Sequence, residues 1–397
     1  MHPWNTQDEH RARLALHLIP GLGNKLAIRL LGHFGSASAI FEASRKEVQE
    51  IEGVGPLLSE RLAQGPPRQR FAEIEQQLAR QQVWVLHYKQ APYPDALYGL
   101  SSPPLLLYGK GNRQILKQKM LSIVGTRSPD AYGKRLTNDL VASLYRSGMV
   151  ICSGGAEGID ARAHYAALQH SMPTCAVLGC GVNVVYPSSH HQLYREICEQ
   201  GGALISEFPP DQKPERGYFP RRNRLLAALA RAVVVVQCKR FSGAMNTAAH
   251  AQRLNKPLFT FPGRPSDILA GGPHQLIREG AQLLPKVESL HHWLQHGHSE
   301  RQTAPQIDWL STLSPQAHSV PNPPSIHPKP EPPSMPPEHW PEILKRIWQT
   351  IDAPIHINTL ALRLSLPIQK LYPHLLHLEL EGWLTQTPDQ LVQRQSP

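Results

Sequence analysis

The sequence predicts an α/β protein built round a mainly parallel sheet. Three observations carry this. From Met120 onward, short apolar runs alternate with helix-like segments, the pattern of repeated strand–helix–strand units. One run, Ala232-Val-Val-Val-Val-Gln237, has no period-two alternation, as a central strand covered on both faces requires. Another run, Met149-Val-Ile-Cys152, passes through the glycine turn Ser153-Gly-Gly-Ala-Glu-Gly158 into a helical segment.

Residues 10–65 read as short helices around two glycine hairpins. Ile19-Pro-Gly-Leu-Gly23 precedes Asn-Lys-Leu-Ala-Ile-Arg-Leu-Leu, and Ile51-Glu-Gly-Val-Gly55 precedes Pro-Leu-Leu-Ser-Glu-Arg-Leu. Each resembles a helix-hairpin-helix, whose Gly-x-Gly turn offers backbone N–H groups to a phosphate or serves as a packing module. A SAM-like helix-hairpin-helix domain is therefore expected over 1–65, with Pro56 well placed in the first turn of its helix. An amphipathic segment over 70–82 leads into strands over 83–87 and 105–108.

The regular strands fall at 121–124, 150–152, 175–178, 203–206, 232–237 and 258–261. Together, residues 66–295 form an extended Rossmann-like core. Ligands of such sheets collect at the carboxyl ends of the strands, so the loops 125–127, 153–160, 179–187, 207–224, 238–247 and 262–272 carry the interest. Proline recurs through 296–339, which reads as an extended or disordered linker. The tract His291-His-Trp-Leu-Gln-His-Gly-His298 lacks carboxylates and fixed spacing and reads as a solvated helix end, with no metal. Residues 340–397 resemble a winged helix, with helices over 340–351, 357–364 and 367–380 and a short hairpin after Gly382. Its third helix is poor in Arg and Lys for a groove reader, so a protein-binding role competes with DNA binding.

At 397 residues the chain has room for two or three domains. A formal charge of +10 and a pI near 9.4 favour a polyanionic partner. The five cysteines form no Cys-x-x-Cys and read as buried thiols of a reducing compartment. With no signal-peptide pattern and no apolar stretch of membrane-spanning length, a soluble cytoplasmic protein is expected.

The turn after Cys152 frees the backbone for close approach and starts a helix near Ile159, which suits an anion. Asp160 and His164, four apart, share a helix face. A nicotinamide enzyme would want Gly-x-Gly-x-x-Gly and an acid roughly 20 residues on. Here the nearest fit is Ser153-x-Gly155-x-x-Gly158, and the next strand ends in Gly179-Cys180-Gly181 without one. No Gly-x-x-x-x-Gly-Lys-Ser/Thr loop occurs. A nucleotide-cleaving (N-glycosidic) hydrolase of Rossmann type is the alternative, with Asp160 or Glu207 as its carboxylate. Nucleic-acid binding has the fullest support. The segment Lys213-Pro-Glu-Arg216-Gly-Tyr218-Phe219-Pro-Arg221-Arg222-Asn223-Arg224 sets five cations and two aromatics at the ligand end of the sheet. Cations track the phosphates of a single strand and aromatics stack on its bases.

Residues 120–283 resemble the DprA (Smf) family of DNA-processing proteins of natural transformation. The resemblance is carried by Ile123-Val-Gly-Thr-Arg127 with Tyr132-Gly133, Ser153-Gly154 with Gly158-Ile-Asp160, and Ala163-His164. It continues through Gly181, Tyr186-Pro187, Ser206-Glu207, Phe219-Pro-x-Arg222-Asn-Arg224, Ser242-Gly243 with Thr247-Ala248, Pro262-Gly263, and Leu276-Ile277 with Gly280-Ala281. Gly155 stands where the family has an apolar residue, and Gln237-Cys238 where it has Glu-Ala, a change expected at the pocket floor. The resemblance implies a core that binds single-stranded DNA, forms a homodimer, helps load the RecA recombinase and catalyses nothing. It makes Arg127 the strand-end arginine of the DNA pocket, and Arg216 and Phe219 the basic residue and aromatic before Arg-Asn-Arg. The expected DNA-binding set is Arg127, the turn residues Ser153, Gly154, Gly155 and Gly158, and the segment residues Arg216, Phe219, Arg221, Arg222, Asn223 and Arg224, with Lys239, Ser242 and Gly243 from the next loop. In this reading Arg127, Arg216, Arg222 and Arg224 neutralise phosphates, Phe219 stacks on a base, and the turn receives a phosphate. No catalytic residue, cofactor or metal is expected.

Overall fold

The structure, a computed structural model, describes residues 8–296, 340–380, 383–386 and 391–394. The chain divides into two compact units, Met1–Pro305 and Gln306–Pro397. The proline-rich segment expected as a linker lies outside the described residues from 297 to 339.

The first unit opens with helices α1 (Glu9–His17), α2 (Asn24–Phe34), α3 (Ala37–Glu42), α4 (Arg45–Gln49), α5 (Pro56–Gln64) and α6 (Arg68–Arg80). The two glycine hairpins brace each other. Arg61 of α5 donates to the Pro20 carbonyl at 3.0 Å, and Arg29 of α2 donates to the Glu52 carbonyl. Leu16, Leu30, Ile40 and Leu62 bury against Phe71 and Ile74 of α6, and one continuous apolar cluster extends to Leu106 and Tyr108 of the sheet. The described residues before 65 therefore share an apolar cluster with the sheet.

The sheet follows: β1 (Trp84–His87), β2 (Leu106–Gly111), β3 (Met120–Val124), α7 (Ala131–Ser143), β4 (Val150–Ser153), α8 (Ile159–Gln169), β5 (Thr174–Val177), α9 (His191–Glu199), β6 (Ala203–Ser206) and α10 (Tyr218–Leu229). The unit ends with β7 (Ala230–Val235), α11 (Gly243–Arg253), β8 (Leu258–Thr260), α12 (Gly271–Arg278), β9 (Gln282–Leu283) and α13 (Glu288–His296). The nine strands order as β1-β2-β6-β5-β4-β3-β7-β8-β9. From β6 to β9 all pairings are parallel, while β1–β2 and β2–β6 are antiparallel. The central strands β3, β4 and β5 are buried throughout, as their unbroken apolar runs require.

Two departures from the sequence expectation matter. The segment 207–224, read as a ligand-end loop, becomes helical at Tyr218. The short edge strand β9 had no apolar run to announce it.

The second unit contains α14 (Glu342–Thr350), β10 (Ile355–His356), α15 (Ile357–Leu364), α16 (Ile368–Leu380), β11 (Leu384–Gln386) and β12 (Leu391–Arg394). Its three strands order as β10-β12-β11, all antiparallel, the sheet of a winged helix. Trp340 and Trp383 meet edge to face at 4.8 Å over Leu344, Ile347 and Leu360. The turn expected at Glu381-Gly382 lies outside the described residues.

Candidate nucleic-acid interface

After β3 the chain steps outward through β4, β5 and β6, then crosses back to place β7 and β8 on the other side of β3. Loops from β3 and β7 therefore part in opposite directions and leave a crevice at their carboxyl ends. A cavity of about 260 Å³ occupies it. Its walls are residues 125–127 after β3, Ala156 and Asp160 after β4, one face of α10, and Lys239 with residues 242–244 after β7. Phe219, Arg222, Asn223 and Leu226, spaced i, i+3, i+4 and i+7, form the α10 wall.

A second cavity of about 110 Å³ lies on the far side of Phe219, bounded by residues 154–157, 178–180 and Tyr186. Phe219 and Arg127 line both. The Phe219 ring is thus a ridge between two hollows. Its position is fixed by Tyr186, whose ring centre is 5.6 Å away, by the Arg127 guanidinium at 5.6 Å, and by Gly179 beneath it, where a Cβ would come within 2.8 Å of the ring. Tyr186, itself 41% exposed, belongs to the site although the sequence reading gave it no role. Its signal was the Tyr-Pro pair after the third core strand.

The glycine turn meets a different anion from the one expected. The Asp160 carboxylate lies against the turn, whose backbone at Gly154 and Ala156 favours its charged form, and the Ile159 N–H at the start of α8 donates to the Thr126 carbonyl at 3.1 Å. Ser153 Oγ donates to the Ile123 carbonyl at 2.6 Å. The Gly155 carbonyl accepts from Tyr194 Oη at 3.1 Å. Gly154 has to be glycine, since a Cβ would lie 2.4 Å from Asp160 Oδ2. Gly158, at φ +79°, would place a Cβ 2.3 Å from the Thr126 oxygen. A phosphate received by this turn, as the sequence suggested, would have to displace the protein's own carboxylate. Burial pushes the Asp160 carboxyl above its usual range, with Arg222 and the turn pulling the other way.

The cations divide in the same manner. Arg222 is 4% exposed and donates to the carbonyls of Gly154 and Val177, so it ties the ends of β4 and β5 to α10. Arg224 pairs with Glu207 Oε2 at 2.5 Å, with its side chain 12% exposed. Arg221 reaches the same oxygen at 2.9 Å, and Asn24 of α2 donates to it at 3.0 Å. The expectation that Arg222 and Arg224 neutralise phosphates is corrected, because both are desolvated and hydrogen-bonded inside the protein. Glu207, 1% exposed, holds Arg221, Arg224 and Asn24 through Oε2 and keeps Oε1 buried without a partner, and Asp160, 6% exposed, is buried against the turn, so neither presents the solvent-exposed carboxylate of the hydrolase alternative. Arg127 and Lys239 keep exposed side chains on the crevice. Arg216 is exposed just before α10 and lines neither cavity.

Asn223 joins α10 to the loop after β7, donating to the Gly243 carbonyl and to Asn246 Oδ1, each at 3.2 Å. Gln237 does not reach the pocket floor. Its Nε2 donates to Asp130 Oδ2 at 3.1 Å under the start of α7. Among the described residues no group of three His, Cys, Asp or Glu side chains is placed to hold a metal, and no helix is long and apolar enough to cross a membrane.

Comparison with known proteins places the chain in a family. Residues 84–295 match the family described as DNA recombination-mediator protein A, residues 14–64 a SAM-like helix-hairpin-helix tandem, and residues 330–390 the DprA winged helix domain. Protein Smf of Synechocystis is 36% identical over 68% of this chain and 69% of its own. Protein Smf of Escherichia coli is 34% identical over 75% and 73%. Among solved structures, DprA of Streptococcus pneumoniae superposes with a TM-score of 0.63 at 30% identity, covering 72% of this chain and 98% of that one. DprA of Helicobacter pylori, whose structure is described as giving insight into a unique single-stranded DNA binding mode, has a TM-score of 0.50 at 34% identity over 54% and 96%. The family match covers more than half of the chain, and its flanking domains fall in the same order; the chain belongs to the DNA recombination-mediator protein A family, the DprA or Smf proteins.

Proposed function

We propose that this chain binds single-stranded DNA across the crevice between β3 and β7 and acts as a recombination mediator. The observation that carries the reading is the Phe219 ridge, with Arg127 beside it and a hollow on each flank. An aromatic ridge takes the face of a base, and an exposed guanidinium next to it takes the adjoining phosphate. The contacts are to phosphates and base faces, so binding carries little sequence preference. Lys239, Ser242 and Gly243 extend the phosphate path on one flank, and Gly154 and Gly155 wall the other. Arg216 meets the strand outside the two hollows. RecA as the recipient of the strand, and a homodimer as the working form, rest on family membership, which is that of a mediator and not of a catalyst.

The experiment is affinity for oligothymidine and for a duplex of equal length over a salt series. The single strand should bind more tightly. Duplex binding that equals or exceeds it would overturn the reading. RecA strand exchange in the presence of the protein, and its sedimentation alone, test the two partner assignments.

A further inference from the structure

Phe241 is 92% exposed, more than any other large apolar side chain among the described residues. It sits in the loop between β7 and α11, between Lys239-Arg240 and Ser242-Gly243. Lys239, Ser242 and Gly243 line the larger of the two cavities, which Phe219 also lines. The loop is not slack. The Gln237 carbonyl accepts from the Thr126 N–H at 2.7 Å, the Cys238 N–H donates to the Leu269 carbonyl at 2.8 Å, and the Cys238 carbonyl accepts from the Gly272 N–H at 2.9 Å. Asn223 holds its far end through the Gly243 carbonyl. A fixed backbone therefore presents a bare phenyl ring on the loop that walls the crevice, flanked by the exposed cations Lys239 and Arg240.

We propose that Phe241 is a second base-stacking platform for the same single strand, with Lys239 taking a phosphate between it and Phe219. The proposal rests on the single-strand reading given above. An exposed ring stacks on any base, and neighbouring cations favour a polyanion over an apolar protein surface. Ile268, 72% exposed on the adjoining loop after β8, shares the exposure but has no π face, and provides the control.

The test uses the full chain, oligothymidine, and an abasic oligomer of the same length and charge. Phe241→Ala should weaken oligothymidine binding roughly 5- to 150-fold, the range of one lost base stack, with an unchanged salt slope. Phe241→Tyr should restore affinity, Ile268→Ala should leave it as in the wild type, and the abasic oligomer should bind wild type and Phe241→Ala alike. If Phe219→Ala weakens oligothymidine binding while Phe241→Ala does not, the second platform is wrong and the single-strand reading stands. If Phe241→Ala loses the abasic oligomer equally, or dissociates an oligomer in sedimentation, the ring meets protein and not a base. If the wild type fails to prefer single strands, the underlying reading fails and the platform falls with it.

Discussion

Arg127 and Arg222 stand at the same end of the sheet and have opposite surroundings. Arg127 is exposed over the crevice with the Phe219 ring beside it. Removing it should lower single-strand affinity and flatten the dependence of log affinity on log salt by about 0.7, one released counterion on a single strand. An unchanged slope for Arg127→Ala would remove its phosphate role. Phe219→Ala should cost about 1–3 kcal/mol of binding with no change in slope, since the ring carries no charge. The ring lies on the first turn of α10 and packs on Tyr186, so thermal unfolding has to accompany the measurement. Early unfolding would mark it as structural. Arg222→Ala should act on the fold instead. It strips the carbonyls of Gly154 and Val177 of their donor and leaves Asp160 buried without its cationic neighbour. Breaking such a buried arrangement costs roughly 3–5 kcal/mol, read as a lower Tm. A variant that melts like the wild type and loses only DNA affinity would contradict the internal role.

At the scale of elements, α8 carries a group that makes stability depend on pH. His164 is fully buried, and its Nδ1 lies 2.7 Å from Thr174 Oγ1, whose hydroxyl donates to the Ile151 carbonyl. The hydroxyl proton is thus used, and His164 Nδ1–H is the donor. Burial, with His190 and Arg222 nearby, lowers the imidazole from 6.5 to about 3. The unfolded chain takes up a proton as pH falls below about 6.5, and the folded one does not until near 3. The contribution is complete above 6.5 and declines toward 3, by up to about 1.4 kcal/mol per pH unit. His164→Asn keeps a donor and removes the titration, so its urea midpoint should fall less than the wild type's between pH 6.5 and 4. Parallel curves would sink the assignment. Elements also show what the sequence makes legible. The strands were readable because unbroken apolar runs such as 232–237 admit no other placement. The helix α10 was not, because Arg221-Arg222-Asn223-Arg224 resembles a solvated basic loop and Gly217 gives no side-chain cap. Which of those arginines turn inward depends on Glu207 and on the ends of β4 and β5, partners remote in sequence. Phe219 drew attention as an aromatic beside cations, a local signal, whereas Arg127 was singled out by the family resemblance of the strand end that carries it.

At the scale of the molecule, the division into units decides which fragment can be tested. Asn24 of α2 donates to Glu207, and Arg70 of α6 pairs with Asp211 at 2.5 Å, so the helices before residue 80 are tied to the loop that precedes α10. A cut at residue 65 would open the apolar cluster joining Leu16, Leu30 and Leu62 to Leu106 and Tyr108. The fragment that preserves the crevice is therefore the whole first unit, Met1–Pro305. The composition of 296–339, rich in Pro, Ser and Gln and poor in apolar residues, directs the first proteolytic cut into that segment. Limited proteolysis should release a large fragment ending near residue 300 and a small one carrying α14 to β12. Since both hollows and the Phe219 ridge are built within the first unit, the large fragment should keep most of the single-strand affinity. Its salt slope should also match that of the full chain, because Arg127 and Lys239 remain. A drop in affinity with an unchanged slope would place an uncharged contact in the winged helix. A drop in both would place phosphate contacts there. Outright loss of single-strand binding would mean that the crevice between β3 and β7 is not the principal site.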